Sequence, residues 1–253
     1  MTVKELYLIL NEKIPQELSC PWDNDGLMCC PKGEREVKRV LIALDVTADV
    51  VSEAVNGGYD LILSHHPFIF KGLKSVTDEN FIGSKAIELI EKGIAVASFH
   101  TRLDAVAGGV NDTLASLLGL ENVEVFGDEG IGRIGDILHE FSLEELAESV
   151  RNALGAPFVL CADGGISPKR IAVLGGEGGD DIEAAKAAGA DTYISGRLGY
   201  HSMTDAPDFG MNLIEAGHYY TEAPVCAVLA RLVKEADESI TADIYVSNRI
   251  KAI

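Results

Sequence analysis

Two eleven-residue stretches, 54–64 (AVNGGYDLILS) and 185–195 (AKAAGADTYIS), read alike at a separation of 131 positions, 64 to 195. Each joins the end of a helix to a glycine-containing turn and a short apolar run. Each is preceded at the same offset by another apolar run, Lys38-Arg39-Val40-Leu41-Ile42 in one case and Lys169-Arg170-Ile171-Ala172-Val173 in the other. A strand, a helix and a second strand in this order imply parallel pairing and a right-handed crossover. The chain is therefore predicted to be α/β, built as two similar α/β halves, residues 1–126 and 127–253.

Apolar periodicity and cap signals predict the remaining elements. Helices are expected over 1–19, over 48–55 before Gly57-Gly58, over 81–92 before Gly93, over 111–118, over 141–154 and over 223–235. Ser142, followed three residues later by Glu145, forms a capping box. Strands are expected over 40–44, 60–64, 94–99, 122–126, 158–161 and 240–246. The polar stretch 20–27, which holds the single tryptophan, reads as a packed loop with Asx turns. Residues 127–140 read as a glycine-rich, charged linker. Gly175 to Gly179 follow a strand and open a helix, as a phosphate cradle does; the alternative is a tight strand-to-helix turn.

The formal net charge of -19 argues against a nucleic-acid partner, which requires a basic face to gain from counterion release. The N-terminal segment has the pattern of an amphipathic helix, and no apolar run is long enough to span a bilayer. Five cysteines, an odd number without a CxxC pair, point away from a disulfide framework and towards a reducing cytoplasm.

Chemistry gathers where strands are expected to end. Ser64-His65-His66-Pro67 closes the run Leu61-Ile62-Leu63. A regular strand would direct the two rings to opposite faces, and Pro67 turns the backbone at His66. Two divergent rings suit two neighbouring metal ions better than one; the alternative is a turn-packing or capping pair. His100-x-x-x-Asp104 recurs as His218-x-x-x-Glu222, 118 positions on (100 to 218, 104 to 222), each after an apolar run. With His201, five of the six histidines fall at such tips, and only His139 does not. Ligands bind beyond the carboxyl ends of strands in open α/β sheets. Histidine and carboxylate donors without cysteine suit zinc, manganese or iron.

SHHP, HTRLDAVAGGVNDTLA and GHYYTE resemble the three signature motifs of the NIF3-like proteins, also known as GTP cyclohydrolase I type 2 homologues. WDNDGL resembles that family's N-terminal motif, more often close to DNVGL. The resemblance covers essentially the whole chain. It implies a NIF3-like fold with a metal site between the halves, and a ring-shaped homohexamer. It further implies that His65, His66, Asp104, His218 and Glu222 bind two divalent ions, with Glu222 bridging. This chain departs from the family at Ser195-Gly196-Arg197, where many members read TGD, and at Arg102, where asparagine is frequent.

Two readings of function follow. In the first the protein is a metal-dependent hydrolase of a nucleotide or another phosphorylated small molecule, GTP cyclohydrolase-like by resemblance. His100 or His201 then moves protons, and Arg102 and Arg197 attract an anionic substrate. In the second the same ligands serve a non-catalytic metal-binding, chaperone or regulatory hexamer.

Overall fold

A computed structural model describes residues 1–253. The chain forms two compact units, Met1–Val106 with Val225–Arg249, and Ala107–Pro224 with Ile250–Ile253.

The first unit contains α1 (Val3–Lys13), β1 (Gly26–Cys29), β2 (Arg39–Ala43), α2 (Ala48–Asn56), β3 (Leu61–Ser64), α3 (Phe81–Lys92), β4 (Ala95–Ser98) and α4 (Thr101–Ala105). Its sheet runs β1-β4-β3-β2 and ends on a strand from the far end of the chain. Strands β2, β3 and β4 are parallel, with Val40 opposite Leu61 and Leu61 opposite Ala95. Strand β1 is antiparallel to β4. Residues of β3 and β4 are buried throughout, as expected of parallel strands covered on both faces. One core layer joins Leu41, Ile62 and Val96 of the sheet to Val50, Val51 and Ala54 of α2 and Leu89 of α3. Helix α1 ends at Lys13, short of the predicted 19, because Pro15 drives Ile14 out of helical geometry (φ -126°, ψ 78°).

The second unit contains α5 (Val110–Leu117), β5 (Glu121–Phe126), β6 (Gly132–Asp136), α6 (Leu143–Leu154), β7 (Leu160–Ala162), β8 (Arg170–Glu177), α7 (Ile182–Ala187), β9 (Thr192–Arg197), α8 (Tyr200–Phe209), β10 (Asn212–Glu215) and α9 (His218–Glu222). Its sheet order is β5-β6-β8-β9-β10-β7. The capping box of Ser142 and Glu145 opens α6 as expected. The span 127–140 is not a linker, because Gly132–Asp136 forms β6, antiparallel to both β5 and β8. Its glycines hide it from a propensity reading.

The chain then closes with α10 (Val225–Ala236) and β11 (Thr241–Ile244). Strand β11 pairs in parallel with β2, Ala242 opposite Val40, and so belongs to the first unit. The units therefore divide after Val106 and again after Pro224, not at 126/127. Only pairing between the two ends of the chain reveals this.

The internal repeat survives in three dimensions. Strands β2-β3-β4 correspond to β8-β9-β10, each parallel trio carrying an antiparallel strand, β1 or β7, beside its last member; at the other edge β2 has the parallel β11 and β8 the antiparallel β6. A shared polar device confirms the register. Asp60 accepts hydrogen bonds from the Lys38 and Arg39 backbone N–H groups, and Asp191, 131 positions on (60 to 191), accepts from those of Lys169 and Arg170. Each carboxylate caps the start of the neighbouring strand, where backbone donors have no ladder partner.

Candidate metal centre

In the first unit, His65 and His66 follow β3. The Ser64 hydroxyl donates to the His66 carbonyl at 2.8 Å, and the His66 N–H donates to the Leu44 carbonyl. These bonds bend the backbone out of strand geometry, so the two rings converge to 5.1 Å between centroids with planes 41° apart. His100 joins them, 5.2 Å from the His65 ring and 5.8 Å from that of His66. One ring nitrogen from each of the three lies within 4.8 Å of the others. Asp104, on α4, places Oδ1 3.6 Å from His65 Nε2. His65 and Asp104 are both buried.

Each ring is held from behind through Nδ1. His65 Nδ1 is 2.9 Å from the Phe99 carbonyl, His66 Nδ1 is 2.7 Å from Asp45 Oδ1, and His100 Nδ1 is 2.9 Å from Asp23 Oδ1. A carbonyl or an ionised carboxylate can only accept, so the proton sits on Nδ1 and the lone pair of the neutral ring on Nε2. Backing of this kind orients imidazoles that ligate metals and raises their basicity. The donor set is therefore suited to a divalent cation of the zinc, manganese or iron type.

The Trp22–Leu27 motif supplies the backing of His100. Helix α4 has no side-chain cap of its own. Asp25 instead accepts from the His100 N–H at 3.0 Å, while Asp23 accepts from the Thr101 N–H at 3.1 Å and its hydroxyl at 2.6 Å. Two aspartates thus satisfy donors that a helix start leaves unpaired. Burial opposes the charge of Asp23. The hydrogen bonds from His100 and Thr101 outweigh it and hold the Asp23 carboxyl well below the usual carboxylate range.

Arg102 does not face a substrate. It is fully buried, with Nε 2.9 Å from Asp25 Oδ2 and Nη1 2.6 Å from Asn11 Oδ1 and 3.0 Å from the Ile14 carbonyl. Its guanidinium carbon lies 4.5 Å from the Phe99 ring centroid. The arginine ties α1 to the turn that carries His100, a positioning role that removes it from the anion-binding expectation.

In the second unit, His218 and Glu222 lie one turn apart on α9, with Nε2 and Oε2 3.0 Å apart. Gly175 to Gly179 do not form an open phosphate cradle. Strand β8 continues to Glu177, and the helix that follows has six residues. Gly176 adopts φ +72°, and a Cβ there would collide with Glu222 Oε1. A Cβ at Gly196 would likewise collide, with the Gly176 carbonyl, Thr221 Oγ1 and the His218 backbone. The two glycines let α9 settle on β8 and β9, and the Gly176 N–H donates to Thr221 Oγ1 at 3.0 Å. Arg197 is exposed and 3.5 Å from Glu177. His201 is exposed on the first turn of α8, its ring against Tyr200, and joins no metal-ligating cluster.

The repeat also aligns differently from the expectation. The Phe99 N–H donates to the Ser64 carbonyl, and the Ala216 N–H to the Ser195 carbonyl. The Asp104 N–H reaches the His100 carbonyl as the Thr221 N–H reaches that of Gly217. The offset is 117 (99 to 216, 100 to 217, 104 to 221). His100 therefore corresponds to Gly217, not His218, and Asp104 to Thr221, not Glu222.

Known proteins match along the same frame. The family model described as Duf34/NIF3 (NGG1p interacting factor 3) matches residues 1–252. The chain belongs to the DUF34/NIF3 family. A protein of Clostridium perfringens named GTP cyclohydrolase 1 type 2 homolog is 34% identical to it over 247 residues, covering 94% of each chain. The Protein NIF3 homolog of Schizosaccharomyces pombe is 32% identical over 223 residues, covering 81% of this chain and 79% of its own. Among solved structures, Staphylococcus aureus hypothetical protein SA1388 superposes with a TM-score of 0.91 at 28% identity, over 100% of this chain and 99% of its own. Reduced HcgD from Methanocaldococcus jannaschii does so with a TM-score of 0.85 at 29% identity, over 96% and 97%.

In this NIF3-family chain, sequence reasoning missed Asp45, Asp23 and Asp25 as partners of the cluster. A signal was present for each. Asp45 directly follows a strand whose neighbour ends in the histidine pair, and two acids in a six-residue motif around the single tryptophan exceed what one Asx turn requires.

Proposed function

We propose that the protein is a metal-dependent hydrolase of a phosphorylated small molecule, and that His65, His66, Asp104, His218 and Glu222 are the ligands of a pair of divalent ions. The observation that carries this reading is the trio of histidines tied through Nδ1, with Asp104 beside His65. The names of the homologues and the family model over residues 1–252 support it. Bound ions of this kind supply Lewis acidity towards water and the attacked centre. Asp45 and the Phe99 carbonyl hold the histidines in the ligating tautomer. His100, fixed by Asp23, has the position and the hydrogen bond of a proton-transfer group beside the ligands. No helix is long and apolar enough to cross a membrane.

Elemental analysis after reconstitution is expected to return two ions per chain. His66→Ala and Glu222→Ala should lose metal. His100→Ala should keep both ions and lose most turnover against a panel of nucleotides and phosphoesters. One ion at saturation would end the dinuclear reading, and an ion lost from His100→Ala would make that residue a ligand. Full metal loading with no turnover across the panel would instead favour the non-catalytic reading.

We extend the family resemblance to assembly as a homohexamer. Light scattering at micromolar concentration should then report six copies of the 27.0 kDa chain. A monomer would exclude it.

A further inference from the structure

Beside His66, wholly within the first unit, lies a cavity of about 630 Å³. That size falls within the range of roughly 300–1,000 Å³ in which small-molecule sites occur. Three phenylalanines contribute to its walls. Phe68 is buried, while Phe70 and Phe81 are 43% and 75% exposed at the mouth. Phe70 lies edge-on to His100 at 6.2 Å and to Trp22 at 6.4 Å, so an aromatic rim runs from the cavity to the histidine cluster.

The cationic side is equally distinct. Lys85 Nζ donates to the Val46 carbonyl at 2.5 Å and lies 5.3 Å from the Phe68 ring centroid and 5.6 Å from that of Phe81. No carboxylate lies within ion-pair distance of it. Burial, followed by the nearby Arg249, pulls its pKa below the ordinary lysine value, and Asp45 opposes the shift. Lys71 lines the same cavity, whereas Arg249 is already paired with Asp49. Asp45 also lines the cavity, but its Oδ1 is engaged by His66 Nδ1 at 2.7 Å, so in a chain of net charge -19 the two lysines without ion-pair partners leave positive charge in this pocket that an anion would satisfy.

We propose that this cavity binds the organic portion of the substrate, a planar aromatic ring carrying a phosphate, with the ring against Phe70 and Phe81 and the phosphate on Lys85 and Lys71. The inference rests on the hydrolase reading only for what happens beside His66; the binding itself does not depend on it. It names the recognition element that the metal ligands lack, and it replaces Arg102 as the source of anion selectivity.

Phenylphosphonate is a suitable probe because its carbon–phosphorus bond resists hydrolysis. Calorimetric titration of the purified protein is expected to show binding at least tenfold tighter than that of inorganic phosphate or benzyl alcohol, which carry the two halves of the probe. Lys85→Met and Phe81→Ala, with wild-type circular dichroism and melting temperature, should each weaken it tenfold or more. Unchanged affinity in both folded variants would overturn the proposal, as would inorganic phosphate binding as tightly as the probe or no binding at millimolar probe. Metal content measured on the same samples separates the two readings. A chain that stays metal-free after reconstitution yet loses the probe on Lys85→Met would refute the metal centre and leave this pocket standing.

Discussion

Arg102→Met should destabilise the first unit by about 3–5 kcal/mol, the usual cost of breaking a buried ion pair by removing one partner. Neither side chain of the Arg102–Asp25 pair has any exposure. Removing the guanidinium leaves Asp25 ionised among the Ser19 hydroxyl, the Gln16 amide and the His100 N–H, with no cation beside it. The bonds to Asn11 and to the Ile14 carbonyl disappear as well, so α1 loses its tie to the turn before α4. Thermal melts should show a fall in Tm of roughly 10 °C or more for a chain of this size. Asp25→Asn combined with Arg102→Met should recover part of the loss, because it removes the stranded charge. At a temperature where Arg102→Met remains folded, its affinity for phosphate should be unchanged. Weakened phosphate binding with an unaltered Tm would restore a substrate role to the arginine.

Gly176→Ala should release metal from a chain that still folds. A residue at φ +72° costs an L-amino acid about 1 kcal/mol or somewhat more, which a compact unit can absorb. The added methyl group cannot coexist with the present position of Glu222 Oε1, and His218 Nε2 lies only 3.3 Å from the same point. Glu222 is nearly fully buried on a five-residue helix packed against β8 and β9, so it can yield only by rotating its carboxylate. Reconstituted Gly176→Ala is expected to hold fewer ions than wild type at equal free metal, with near-native circular dichroism. Gly199→Ala, also at positive φ (+84°) but with no atom within 4 Å of the new methyl, separates backbone strain from the collision. Equal metal loss in both variants would refute the collision argument.

Short-range pattern was enough for the helices with strong caps. Gly93 ends α3, and Ser142 with Glu145 starts α6, as the residues themselves predict. The parallel strands were legible because burial on both faces leaves no polar alternation. The histidine pair was legible because Pro67 must end the strand there. What the sequence by itself determined was the α/β class, the strand–helix–strand repeat and the residue types gathered at strand tips, since each depends on neighbours a few positions away. The rest depended on distance along the chain. Strand β11 joins β2 across about 200 residues, which moved the division of the units; the strand β6 was concealed by its glycines and shown only by pairing on both edges. A one-residue shift between the two helix starts placed His100 opposite Gly217, and no spacing rule detects a slip that backbone hydrogen bonds define. Arg102 shows the same limit: its charge was legible, but whether it met a substrate or Asp25 depended on a loop 77 residues earlier folding back onto α4.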